Sequence, residues 1–192
     1  MRVCVFCGSS PGRNPVFVDA ARGLGSHLAA AGHGLVYGGA HVGLMGIVAD
    51  TVLESGGEVI GVIPQSMAER EIAHRGLTRL HIVQTMHERK AMMADLADAF
   101  IVLPGAYGTL DEFFEVLTWA QLGIHFKPCG MLNAGGFFDS LLSFLDVSVA
   151  AGFLKPENRD LFVVEREAGL LLDRMANHKP PRVSKWAGVD VR

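Results

Sequence analysis

Short apolar runs alternate along the chain with longer stretches in which apolar residues return every three or four positions. Residues 3–6, 35–37, 58–63, 80–83, 100–103, 129–132 and 161–164 are rich in apolar and β-branched side chains and read as strands. Several are apolar throughout, which marks strands covered on both faces. Helical period fills 15–31, 43–55, 87–96, 109–122, 138–151 and 165–175. Strand and helix alternate with no composition break and no internal repeat. The pattern therefore predicts a single α/β domain, a Rossmann-like doubly wound fold with a mainly parallel sheet flanked by helices. That domain is expected over 1–178. A solvated tail follows at 179–192, where Lys179, Arg182 and Lys185 are diluted by Pro180 and Pro181.

In such folds ligands bind beyond the carboxyl ends of the strands, which directs attention to three loops. The first is Cys7-Gly8-Ser9-Ser10-Pro11-Gly12, after the first strand. The second is Tyr37-Gly38-Gly39-Ala40-His41-Val42-Gly43-Leu44-Met45-Gly46, after the second. The third, Pro104-Gly105-Ala106-Tyr107-Gly108-Thr109, follows the fifth. Glycine lets backbone N–H groups approach an anion, and the start of the next helix adds partial positive charge. Three such loops on one sheet edge fit a ligand with a phosphate and a sugar. Neither G-x-x-x-x-G-K-[ST] nor an intact G-x-G-x-x-G occurs in them, so ATP hydrolysis and ordinary dinucleotide binding are disfavoured.

Composition narrows the partners. Seventeen basic and 20 acidic residues give a net charge of −3, and the basic residues form no stripe, which argues against nucleic acid as a partner. No apolar stretch is long enough to span a membrane, and the start of the chain lacks a secretory cleavage pattern. Three cysteines make no disulfide framework, and a cytoplasmic location is expected. Cys4 and Cys7 match C-x-x-C but lie within a strand, away from the helix start that a redox pair uses. His41, His87, His125 and Cys129 lack metal-ligand spacing, so no metal and no cofactor is expected. Met92 and Met93 read as gap-filling core residues.

Side chains able to do chemistry cluster in two places. Thr109-Leu110-Asp111-Glu112 reads as a helix opening just past the third loop, with Thr109 as a cap or a phosphate ligand. A carboxylate beside a phosphate loop repels the phosphate unless it faces the ribose or a developing cation. Arg89 and Lys90 follow Met86-His87-Glu88, near the start of the helix before the fifth strand. Two cations there oppose the helix dipole unless something anionic sits nearby, and a guanidinium suits a phosphate because it bonds two oxygens at once. An exposed ion pair of Glu88 with a neighbour is the alternative there.

These segments together resemble the Lonely Guy family, the cytokinin riboside 5′-monophosphate phosphoribohydrolases, whose members often carry a lysine decarboxylase-like label. The likeness covers about residues 3–165 and includes Cys7-Gly8-Ser9-Ser10, the loop 37–46, Met86-His87-Glu88-Arg89-Lys90 and Thr118-Trp119-Ala120-Gln121-Leu122-Gly123. The family hallmark P-G-G-x-G-T-x-x-E appears as Pro104-Gly105-Ala106-Tyr107-Gly108-Thr109-Leu110-Asp111-Glu112. Alanine replaces a glycine at Ala106, and Ala40 stands where many members have a third consecutive glycine. If Ala106 needs positive φ, alanine costs the loop roughly 1–2 kcal/mol.

The resemblance implies a catalytic pair at Arg89 and Glu112, a phosphate loop from Gly105 to Thr109, and substrate contacts at Glu71, Lys90 and Thr118. With the loops, the candidate substrate-binding set is Gly8, Ser9, Gly39, Gly43, Glu71, Lys90, Gly105, Ala106, Tyr107, Gly108, Thr109, Leu110, Asp111 and Thr118. Hydrolysis of the base–ribose bond of a cytokinin or adenosine 5′-monophosphate is expected, with free base and ribose 5-phosphate as products. Thr118 stands six residues after Glu112 on the same helix, so the two project from different faces, and if both touch one substrate a second subunit is the simplest explanation. A homodimer is implied, with Trp119 and Leu122 as interface candidates. The competing readings are a non-catalytic nucleotide carrier or sensor, the decarboxylase of the old label, and nicotinamide-dependent hydride transfer.

Overall fold

The computed structural model describes residues 1–181, apart from the side chains of Arg70 and Glu71. The tail expected at 179–192 therefore lies mostly outside the described residues. Among the described residues, seven strands form one sheet: β1 (Arg2–Phe6), β2 (Gly34–Tyr37), β3 (Val59–Pro64), β4 (Arg79–Val83), β5 (Ala99–Val102), β6 (Cys129–Leu132) and β7 (Phe162–Glu165). Every pairing is parallel, and the order is β4-β3-β2-β1-β5-β6-β7.

Eight helices alternate with them: α1 (Pro15–Ala30), α2 (Gly43–Glu54), α3 (Gln65–Met67), α4 (Met86–Leu96), α5 (Tyr107–Gln121), α6 (Asp139–Ala150), α7 (Pro156–Arg159) and α8 (Ala168–Asn177). A π-helical turn at Ala68–Ile72 and a 3-10 turn at Ala134–Gly136 complete the described elements. The doubly wound sheet is as the hydrophobic pattern predicts, and it is parallel throughout.

Alternation along β1 shows why both faces need cover. Val3, Val5 and Cys7 enter one apolar cluster with α1, α2 and α8. Cys4 and Phe6 enter the other, with α4, α5 and α6. Cys4 and Cys7 are therefore on opposite sides of the sheet, both free thiols, and burial raises the pKa of each. A dithiol function has no geometry here.

Local signals set the helix ends. Asn14 caps α1, its Oδ1 accepting the Val16 N–H at 3.1 Å, with Pro15 at the first helical position. Thr85 caps α4 by accepting the Glu88 N–H at 3.1 Å, while the Glu88 carboxylate accepts the Gln84 N–H at 2.8 Å. This is a near relative of the capping box. It explains Glu88 as a capping residue, and it starts α4 one residue before the sequence pattern does.

The strand order decides where a ligand sits. From β1 the chain winds outward through β2, β3 and β4, then returns to pair β5 against the other side of β1. The loops after β1 and β5 therefore leave in opposite directions and open a crevice between them.

Candidate active site

Backbone bonds tie the three glycine loops together at that crevice. The Gly8 N–H donates to the Pro104 carbonyl at 3.0 Å, joining the first loop to the third. The Leu44 N–H donates to the Gly8 carbonyl, also at 3.0 Å, joining the second loop to the first. Gly43 has a φ of 61°, and a Cβ there would overlap the Ser9 and Ser10 backbone, so this close approach demands glycine. At Gly105 a Cβ would run into the Thr109 side chain, which lies buried across the loop.

Helix α5 opens at Tyr107, two residues earlier than the sequence pattern places it, with Ala106 as N-cap. Ala106 has a φ of −116°, so alanine carries no left-handed strain at this place. Thr109 therefore lies within the first turn and is not the cap. Ala106, Gly108 and Thr109, at the start of α5, line the cavity beside the crevice, where the free amides of a helix N-terminus favour an anion.

Between the loops lies a cavity of about 410 Å³, lined by residues of all three and by Arg89, Asp111 and Glu112. Arg89 is 5% exposed. Its Nε donates to the Val62 carbonyl at 3.1 Å and its Nη2 to the Gly38 carbonyl at 3.0 Å, which fixes the guanidinium at the ends of β3 and β2. A side chain at Gly38 would strike Nη2, so that glycine makes room for the arginine. Nη1 lies 3.7 Å from Glu112 Oε1 and 3.7 Å from Met86 Sδ. No oxygen among the described residues is within hydrogen-bond distance of Nη1, which leaves donor capacity at the cavity.

Glu112 is 8% exposed. Burial raises its pKa above the usual carboxyl range; Arg89 pulls the other way, and Asp111 adds to the rise. A carboxylate poised in this way accepts a proton more readily than a solvated one.

The structure brings most of the sequence candidates to this place, though not all. Gly8, Ser9, Gly105, Ala106, Gly108, Thr109, Asp111, Arg89 and Glu112 line the cavity. Gly39 and Gly43 shape the second loop, while the Tyr107 side chain points to solvent, 93% exposed. Leu110 packs against the core. Lys90 turns to α5 and pairs with Asp111 and Glu115. Thr118 is exposed and donates to the Phe114 carbonyl at 2.7 Å, away from the cavity. The Glu71 side chain lies outside the described residues.

His41 bonds the Ile72 carbonyl and His125 the Val116 carbonyl. Among the described residues no cluster of three or more His, Cys, Asp or Glu could hold a metal ion. No described helix is long and apolar enough to cross a membrane.

Sequence reasoning missed the apolar side chains that line the cavity. Phe17, Met45, Met67, Met86 and Phe137 line it, and Phe17 meets Phe137 edge to face at 5.4 Å. These residues come from five separate segments. Their apolar character is shared with core positions, so only the fold gathers them. Met93, by contrast, is a buried core residue, as its helical spacing predicts.

A parallel, doubly wound sheet with glycine loops at its switch point defines a nucleotide-binding type of α/β fold. Comparison with known proteins sharpens this. A family model described as "Possible lysine decarboxylase" matches residues 45–175. A probable cytokinin riboside 5′-monophosphate phosphoribohydrolase of Oryza sativa subsp. japonica is 50% identical over 179 residues, covering 93% of this chain and 79% of that one. A cytokinin riboside 5′-monophosphate phosphoribohydrolase of Arabidopsis thaliana is 48% identical over 179 residues, covering 93% and 83%. The molybdenum cofactor binding protein of Rippkaea orientalis shares the fold, with a TM-score of 0.69 at 18% identity over 92% of this chain and 95% of that one. The chain belongs to the cytokinin riboside 5′-monophosphate phosphoribohydrolase family.

Proposed function

We propose that this chain hydrolyses the N-glycosidic bond of a nucleoside 5′-monophosphate, releasing the free base and ribose 5-phosphate. One observation carries the reading: a buried Arg89–Glu112 pair at 3.7 Å in a cavity lined by residues of the three glycine loops. The loop amides and Thr109 hold the phosphate and so fix the ribose. As the bond from C1′ to the base nitrogen lengthens, positive charge builds on the sugar, as in glycoside hydrolysis. Glu112 faces that charge and takes a proton from the attacking water, whose oxygen bonds to C1′, while the base leaves with the bonding electron pair and takes up a proton from solvent; Glu112 then returns its own proton to solvent. Arg89 keeps Glu112 oriented and offers Nη1 to an oxygen of the substrate. Charge preorganised in a site poor in water is among the strongest contributions to catalysis.

The apolar lining of Phe17, Met45, Met67, Met86 and Phe137 supports a base that carries an apolar substituent. An N6-isopentenyl adenine nucleotide fits it better than plain AMP. The decarboxylase reading is weaker. A Schiff-base lysine must lose its proton, whereas Lys90, despite its burial, donates to the Asp111 and Glu115 carboxylates, whose bonds and charge hold its pKa above the usual lysine range. A homodimer accompanies the hydrolytic reading, because Thr118 is too far around α5 from Glu112 to serve the same cavity within one chain.

The test is base release from AMP and from N6-isopentenyl-AMP, with Glu112→Gln as the control. Release should fall by about 10²–10⁴-fold in the variant while nucleotide affinity changes little. Nucleotide binding with no base release in the wild type would make the chain a carrier instead.

A further inference from the structure

Next to the Arg89–Glu112 pair stands a second set of charges to which the hydrolysis assigns no part. Lys90 follows Arg89 on α4, yet it is not among the residues lining the cavity. Its Nζ donates to Asp111 Oδ2 at 3.0 Å and lies 3.2 Å from Glu115 Oε1. The Lys90 side chain is only 11% exposed, so these carboxylates replace most of its hydration. Asp111 and Glu115 are four residues apart on one helix, a spacing at which like charges repel, and a cation between them removes that repulsion. Glu112 sits next to Asp111 on the same turn. Whatever fixes Asp111 and Glu115 therefore fixes the rotation of α5 and the direction in which Glu112 points. Arg89 is fixed separately, by the Val62 and Gly38 carbonyls.

We propose that Lys90 is a positioning residue: clamped between Asp111 and Glu115, it holds α5 against α4 and sets where Glu112 lies relative to Arg89 and the ribose. This rests on the hydrolytic reading above. The charge pattern agrees with it. The charges acting on Glu112 are Arg89 and Lys90 from α4 and Asp111 and Glu115 from its own helix, while the buried thiols of Cys4 in β1 and of Cys7 just after it feel its charge. Removing Lys90 takes away one cation and leaves two acids uncompensated, so the Glu112 carboxyl should hold its proton to still higher pH.

Two variants and two readouts test the clamp. Lys90→Met and the double variant Asp111→Asn/Glu115→Gln are compared for kcat and KM on N6-isopentenyl-AMP. The Glu112 carboxyl is titrated by carbon-13 NMR in glutamate-labelled protein, its signal assigned with Glu112→Gln. Lys90→Met should lower kcat by roughly ten- to a hundredfold, because small misplacements of a reacting group carry that penalty. Its KM should move by less than about threefold, since a lost positioning contact acts in the transition state. The titration should move up by on the order of one unit. The double variant should lose kcat in the same way, but its titration should move down, because two like charges are gone.

A raised KM with kcat intact, or an unmoved titration in Lys90→Met, would overturn the proposal and return Lys90 to direct substrate contact or to the surface. If Lys90→Met does not fold, unaltered kcat in the double variant overturns it equally. The titration reads the clamp even if the wild type releases no base, so a failure of the hydrolytic reading is distinguished from a failure of this one.

Discussion

Glu112 is an ionisable carboxyl where little water reaches it, and this has a consequence for stability that can be measured apart from turnover. Burial raises its pKa above the ordinary 4.5 despite Arg89 alongside. In the unfolded chain the same carboxyl loses its proton at the ordinary value. Between the two values the folded state binds more protons than the unfolded one, so this side chain's contribution to stability falls as pH rises, and it levels off above the raised pKa. Thermal melts of wild type and Glu112→Gln, run from roughly pH 4 to pH 8, isolate the effect because all other groups cancel in the difference. Wild type should lose ground to the variant as pH rises; a difference that stays flat, or that moves the other way, contradicts the burial argument. Residue types at this site were legible in the sequence: an arginine and a glutamate beside glycine loops stand out from a solvated surface. Their partners were not. Lys90 meets Asp111 across 21 residues of chain, and no local spacing encodes that contact. Ala106 raised a question that only torsion angles answer, because an alanine in a sequence does not say which φ it occupies.

At the scale of the element, the site depends on how closely the loops approach one another. Gly43 begins α2 with a φ of 61° and passes against the Ser9–Ser10 backbone. Gly43→Ala places a methyl group into backbone, which cannot rotate away as a side chain can. The variant should be destabilised by roughly 2–4 kcal/mol, the sum of left-handed strain and overpacking. Because Leu44 bonds to Gly8 immediately beside the clash, nucleotide affinity should fall as well. Denaturant melts and a binding isotherm check both, and a stable variant with full affinity would show that the two loops are not tightly coupled. Elements themselves were largely legible, since apolar strands and amphipathic helices leave periodic signals that differ in period. The starts of α4 and α5 shifted by one and two residues because caps set them: Thr85 in one case and Ala106, with no side-chain bond, in the other. Single turns such as Gln65–Met67 and Pro156–Arg159 left no trace, as one turn is too short to display a period.

At the scale of the molecule, parallel winding follows from strand–helix alternation, but the placement of β5 beside β1 does not. That placement creates the crevice and is fixed by packing between distant segments. The same scale decides the proposed homodimer. One sheet face is covered by α4, α5 and α6, and the outer side of that layer is unusually apolar for a surface open to water. Leu122 and Ile124 are exposed just after α5, Phe144 and Val147 stand one turn apart on the outside of α6, and Phe153 is 90% exposed beyond it. Trp119 is half-buried against the core, so of the two residues proposed for the interface Leu122 is the better exposed. Exposed apolar side chains gain from burial against a second copy at about 25 cal/mol per Å². A stable interface needs on the order of 800 Å² from each partner, more than isolated surface leucines supply. Phe144→Asp/Val147→Asp places two charges on the strip while leaving the buried Leu145 in place. The variant should run as a 20.6 kDa monomer in sedimentation at micromolar concentration, where the wild type runs at twice that mass. On the proposed role of Thr118 in a partner's cavity, kcat/KM should fall together with dimer content and recover as protein concentration rises. A wild-type monomer with full activity at all concentrations would remove both the interface and the role for Thr118. A dimer that the double substitution leaves intact would move the interface to another face and leave the second subunit's part in the site open to the same concentration test.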